Sequence, residues 1–171
     1  MAHFRPLHKI FILDALLQNL LDESNPRALG KAYFERLLET IQMKPLAPMS
    51  ISLATDMEAP GFTGIQELTT SHTSFHYFWE PHAKGGNPNV HIDIYSCAPF
   101  SYEDVLRVAH GHFGLVDWAG TYIERAINPH ERLTMQLRGK GDTVHERLVL
   151  TTGKEVPSRS PVRVPAMVRV R

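Results

Sequence analysis

The sequence predicts an α+β two-layer sandwich, an antiparallel sheet with helices packed on one face. Three observations carry that expectation. Two segments place apolar residues at steps of three and four, the period of a half-buried helix. Between them lie short runs rich in Ile, Thr, Phe and Tyr, punctuated by Pro60-Gly61 and by Gly85-Gly86-Asn87-Pro88 as consecutive antiparallel strands are. The resulting order is strand, helix, several strands, helix, strand, and such an order builds one sheet backed by helices.

The first segment, residues 10–13, is short and apolar and reads as a strand, whereas the leucine-rich residues 15–21 fit no single type. Asn25-Pro26 opens a helix, with Asn as N-cap and Pro in the first helical position. Leu29, Tyr33, Phe34, Leu37, Leu38 and Ile41 share one face of it, and Pro45 and Pro48 bound it, so it covers residues 26–43. Strands are expected at 49–54, 62–70, 73–79 and 90–96. Ser101, with Asp104 three residues on, resembles a capping box with Asp in place of Glu. It opens a second helix over 102–113, with Val105, Leu106, Ala109 and Phe113 on one face. Residues 118–127 read as a further strand.

The chain has 171 residues, of which 43% are apolar and 21% charged, an ordinary globular balance with room for one core. Lys plus Arg number 18 and Asp plus Glu number 18, so the basic excess of a nucleic-acid binder is missing. No apolar run has the length of a membrane span, and the first six residues lack a signal core. No membrane partner is expected. One cysteine, Cys97, excludes a disulfide framework and a cysteine-rich zinc module, and a cytoplasmic setting follows. Residues 1–127 are read as the main domain and 128–171 as a C-terminal extension. Toward its end Lys154, Arg159, Arg163, Arg169 and Arg171 face Glu155 alone. The extension reads as a solvated tail or as an arm that docks on an acidic partner or another subunit.

Reactive side chains concentrate in Thr69-Thr70-Ser71-His72-Thr73-Ser74-Phe75-His76, followed by Trp79-Glu80 and later by Cys97. His72 and His76 would share a helix face, but on a strand they stand about 13 Å apart, too far to share one ion. His110 and His112 point to different sides of a helix. No metal is expected. Gly61-Phe62-Thr63-Gly64 runs into a strand-like segment, so it is not a phosphate loop. No Gly-x-Ser-x-Gly elbow surrounds Ser71, which leaves a Ser-His hydrolase as a weaker possibility. Self-processing fits the neighbourhood better. A serine hydroxyl can attack the carbonyl before it to form an ester, and elimination then cleaves the chain and leaves a pyruvoyl group, an electron sink for decarboxylating amino acids.

These residues resemble a known family. Gly61-Phe62-Thr63-Gly64, Ser71-His72-Thr73-Ser74-Phe75-His76, Glu80, and Val90-His91-Ile92-Asp93-Ile94-Tyr95-Ser96-Cys97 are similar to the motifs of prokaryotic-type S-adenosylmethionine decarboxylases. In element order the resemblance covers roughly residues 7–125; its specific motifs lie between Gly61 and Cys97. It implies a pyruvoyl-dependent lyase of polyamine (spermidine) biosynthesis that matures by autocatalytic cleavage at Thr70-Ser71, with a pyruvoyl cofactor derived from Ser71. By the same resemblance His76 assists cleavage, with Thr63 in support. Cys97 returns a proton to the substrate carbon, and Glu80 binds the ribose hydroxyls of the small-molecule substrate. A homodimer is implied as well.

The chain also departs from the family pattern. Thr70 replaces a Glu before the processing serine; because the attack uses the residue 70 carbonyl, the side chain does not forbid it. Thr63 replaces a serine and keeps a hydroxyl for the same hydrogen bond. His76-Tyr77-Phe78-Trp79-Glu80-Pro81 moves the family's Trp and Pro by one position, and the turn after Glu80 is several residues longer. These departures motivate a rival from another class: an unprocessed, non-catalytic member that binds a nucleoside or a partner subunit.

Overall fold

The computed structural model describes residues 8–19, 21, 24–55, 60–79, 88–126 and 131–151. Its elements run β1 (His8–Leu17), α1 (Pro26–Ile41), β2 (Ser50–Ala54), β3 (Gly61–Leu68), β4 (Ser71–Phe78), β5 (Asn89–Ser96), α2 (Tyr102–Phe113), β6 (Leu115–Arg125), β7 (Leu133–Lys140) and β8 (Thr143–Thr151). The strands form one antiparallel sheet in the order β2-β3-β4-β5-β1-β6-β7-β8. Both helices pack on one face, which is the expected α+β two-layer sandwich. No described helix is long and apolar enough to cross a membrane.

β1 lies inside the sheet, between β5 and β6, and its pattern shows why it runs longer than the expected 10–13. Phe11, Leu13, Ala15 and Leu17 are buried while Ile12, Asp14 and Leu16 are exposed, so strict alternation continues through half of the leucine-rich stretch. α1 begins where Asn25 Oδ1 accepts the Ala28 N–H at 3.0 Å. It ends at Ile41 rather than Met43, because Gln42 adopts a left-handed φ of 56° and caps the last turn. α2 begins at Ser101, whose Oγ accepts the Glu103 and Asp104 N–H groups, and ends at Gly114, φ 71°. Glycine suits that left-handed position because it has no Cβ to clash.

The core is centred on Phe75 of β4. Its ring meets Tyr33 and Phe34 of α1, Phe62 of β3 and Phe113 of α2, all at centroid distances between 5.3 and 5.6 Å. Gly64 makes this possible: a Cβ there would lie 2.3 Å from Phe75 Cε1. The second glycine of the Gly61-Phe-Thr-Gly64 motif is therefore a packing requirement of the sheet.

Residues 133–151 form a β-hairpin to which the sequence assigned no element. β7 extends the sheet beyond β6, with Gly139 opposite Trp118 and the buried Leu137 opposite Gly120. Trp118 Nε1 donates to the Gly141 carbonyl at 3.0 Å, which pins the hairpin turn. Arg147 of β8 reaches the Tyr102 hydroxyl and Glu103 at the start of α2. The basic end of the C-terminal extension, with residues 152–171, lies outside the described residues.

Among the described residues the other face of the sheet carries no helix. Strand register lines up Ile65, Ser74, Asp93, Ile12, Thr121, Gln136 and Leu148 across it. Ile65, Ile12 and Leu148 are 47%, 37% and 43% exposed, so this uncovered face is partly apolar.

Candidate active site

β4 is the spine of the site, because every candidate residue described lies on it or on a strand or turn beside it. Ser71 opens β4 and is opposed by Leu68 of β3 and Ser96 of β5. The side-by-side pairing of β4 with β5 is the arrangement the sequence required to bring Cys97 near Ser71. It does so through the main chain: the Cys97 N–H donates to the Thr70 carbonyl oxygen at 3.0 Å. That carbonyl belongs to the peptide bond joining Thr70 to Ser71. The Thr70 side chain turns the other way, its hydroxyl donating to Met43 Sδ at 3.3 Å.

Ser71 is also a backbone outlier, with φ at 149°. A non-glycine residue held in that region costs about 1–3 kcal/mol, and it persists only where its surroundings enforce it. Here the enforcement comes from both sides. Thr69 N–H is bonded to the Lys44 carbonyl at 3.0 Å, and the Cys97 bond holds the next carbonyl. The Ser71 hydroxyl lies 3.2 Å from His72 Nδ1. The His72 ring is exposed and meets the edge of Tyr95 at a centroid distance of 5.8 Å.

Thr63 and His76 form a second pair on the uncovered face. They oppose each other between β3 and β4, with Thr63 Oγ1 and His76 Nδ1 2.9 Å apart, so the threonine hydroxyl does hold a hydrogen bond to this histidine. The polar row continues across the sheet. His91 opposes His76, and its Nδ1 lies 2.5 Å from Asp14 Oδ1 while Nε2 meets Asn89 Oδ1 at 3.1 Å. His91 and Asp14 border an open cleft with Trp118, Arg138 and Lys140, at the strand ends far from Ser71.

Within one chain the two groupings are separate. Ser71 and His76 are five residues apart on one strand, about 16 Å at the usual rise of about 3.3 Å per residue. Ser71, Thr70 and Cys97 come together, and Thr63 and His76 come together, but the pairs do not meet. Glu80 lies outside the described residues, as do residues 81–87 of the long turn. Among the described residues no group of three or more His, Cys, Asp or Glu is placed to hold a metal ion. The residues that a pyruvoyl group needs at its origin fit the geometry: a hydroxyl, the carbonyl before it held by an N–H, and strain between them.

Two features escaped the sequence reading. The His72–Ser71 contact is between chain neighbours, where a strand ordinarily sends the two side chains to opposite faces, and only the unusual φ of Ser71 brings them together. The His91–Asp14 pair joins residues 77 positions apart, for which no local spacing exists. Comparison of the chain with models of known protein families and with curated protein sequences gives no match.

Proposed function

We propose that this chain is a pyruvoyl-dependent decarboxylase that cleaves itself between Thr70 and Ser71 and acts on S-adenosylmethionine, its product feeding polyamine synthesis in the cytoplasm. The observation that carries the reading is the Thr70-Ser71 junction: a strained serine, φ 149°, whose preceding carbonyl is held at 3.0 Å by the Cys97 N–H. Attack of the Ser71 hydroxyl on that carbonyl carbon breaks the C–N bond, forms an ester and releases the strained peptide geometry. Loss of the residue 71 Cα proton then expels the Thr70 carboxylate, and hydrolysis of the remaining enamine releases ammonia. A pyruvoyl group at residue 71 would supply an electron sink for decarboxylation of a bound amino acid.

The chain's own residues do the rest. The Cys97 thiol supplies a proton to the substrate carbon, and the Glu80 carboxylate accepts hydrogen bonds from ribose hydroxyls. Thr63 and His76 serve the elimination step. Because they stand about 16 Å from Ser71 along one strand, they act on the Ser71 of a second copy packed on the uncovered sheet face. The exposed Ile12, Ile65 and Leu148 on that face support a homodimer.

Denaturing mass spectrometry of the purified chain tests the proposal. Fragments 1–70 and a pyruvoyl-started 71–171 are the expected result, and carboxyl-labelled S-adenosylmethionine should release labelled carbon dioxide. A chain that stays intact through long incubation overturns the reading. An intact chain that binds S-adenosylmethionine by calorimetry would instead establish the non-catalytic binding role.

A further inference from the structure

We infer that His72, to which the resemblance assigns no role, is the base that takes the Ser71 hydroxyl proton in the first step of self-cleavage. The inference rests on the decarboxylase reading and deepens it at the same site. Its basis is contact: His72 Nδ1 lies 3.2 Å from Ser71 Oγ, within reach of the proton that must leave. His76 has a different partner, Thr63 at 2.9 Å, and stands five residues further along β4. Within one chain, the base beside the nucleophile is His72.

The neighbours of His72 complete the arrangement. Strand register puts Glu67 of β3 directly opposite it on one side and Tyr95 of β5 on the other. Directly opposed residues hold their Cβ atoms about 5 Å apart, so Glu67 and Tyr95 flank His72 on the sheet, and the Tyr95 ring meets the His72 ring at a centroid distance of 5.8 Å. The tautomer with a bare Nδ1 is the form that accepts a proton from a hydroxyl. Nucleophile and base are then Ser71 and His72, in contact at 3.2 Å.

The step balances without a co-reactant. As the Oγ–C bond forms, the hydroxyl proton passes to His72 Nδ1, and the Thr70 carbonyl oxygen takes up negative charge facing the Cys97 N–H. When the carbonyl re-forms, the C–N bond breaks and the proton moves from Nδ1 to the departing Ser71 nitrogen. An ester and a free amine result. His72 ends in its starting form, and the later elimination is left to His76.

The two steps separate under hydroxylamine, which cleaves esters quickly and ordinary amides slowly. Full-length chain made in a pulse of cell-free synthesis is followed by intact-mass spectrometry with and without it. His72→Gln should lower hydroxylamine-dependent cleavage by about 100-fold or more, with an unchanged circular dichroism spectrum and partial recovery on adding imidazole. His76→Ala should keep hydroxylamine cleavage and lose pyruvoyl formation. His72→Asn repeats the measurement should the glutamine variant fold poorly. If wild type cleaves and both folded His72 variants match its rate in hydroxylamine, the role of His72 falls while the decarboxylase reading stands. A wild-type chain that never cleaves, or whose intact form is labelled at Ser71 by a fluorophosphonate, overturns both.

Discussion

In the proposed reaction Cys97 takes part through two different atoms, and a single substitution separates them. Its main-chain N–H holds the Thr70 carbonyl at 3.0 Å, while its thiol is the proposed proton donor to substrate. Alanine keeps the N–H and removes the thiol. Cys97→Ala is therefore expected to cleave itself within a few-fold of the wild-type rate while decarboxylation falls by about 100-fold or more. Fragment masses report the first quantity and labelled carbon dioxide the second. Equal loss of both, or loss of neither, would remove the thiol from the mechanism. The motif glycines are understood at this scale too. A Cβ on Gly61 would lie 2.0 Å from the Tyr77 carbonyl oxygen, so close β3–β4 approach excludes any side chain there. That approach sets the Thr63–His76 distance.

The contact between α1 and α2 contains a pH response. His112 of α2 packs against Tyr33 of α1 at 5.6 Å and beside Phe113 at 4.7 Å, and its Nε2 is buried without a partner among the described residues. Burial holds its imidazole below the ordinary value of 6.5, and a backbone interaction at Leu29 offsets this only in part. The folded protein thus favours neutral His112, whereas the unfolded chain takes up a proton as pH falls through about 6.5. More protons on the unfolded state mean that stability is full above that pH and declines below it, until the folded protein also protonates. Thermal unfolding should show Tm falling between pH 7.5 and 5.5, with a shallower fall in His112→Phe, whose ring fills the same space without a titrating nitrogen. A variant with the wild-type slope would place the pH response elsewhere. Tyr33, fully buried and with its hydroxyl unpartnered among the described residues, is pushed above the usual phenol range by desolvation and stays neutral throughout.

At the scale of the whole molecule, the proposed homodimer concerns the sheet face opposite the helices. Among the described residues a sheet of eight strands has helices on one face only, and the face without them carries Thr63, His76 and exposed Ile12, Ile65 and Leu148. A two-fold related copy on that face would bury this apolar surface and bring His76 of one chain toward Ser71 of the other. Two inactive variants test the idea by complementation. Ser71→Ala cannot be cleaved but retains His76, and His76→Ala retains the scissile serine. Each alone should form no pyruvoyl fragment. Refolded together, they should yield cleavage of the His76→Ala chain and not of the other. A mixture that stays intact, or a protein that is monomeric by light scattering at micromolar concentration, rules out the shared site.

Local pattern alone determined most of the framework. Asn25, Ser101 and the Tyr33-to-Ile41 periodicity mark the helices because capping and amphipathic spacing act within a few residues. Runs rich in Ile, Thr, Phe and Tyr between Pro-Gly and Gly-Gly punctuation mark β3, β4 and β5, and their side-by-side pairing implies that Cys97 returns to Ser71. The β7–β8 hairpin was not legible, since its strands are mostly exposed and gain their place from Trp118 and Tyr102, far away in sequence. The candidate residues were likewise named by motif, but their grouping was not. Only strand register decided that Thr63 bonds His76, that His91 meets Asp14, and that about 16 Å separates His76 from Ser71. The left-handed φ that turns Ser71 toward His72 is also a tertiary outcome, imposed by hydrogen bonds from Thr69 to Lys44 and from Cys97 to Thr70. Spacing along a chain specifies which side chains share an element; which of them touch depends on how the elements pair.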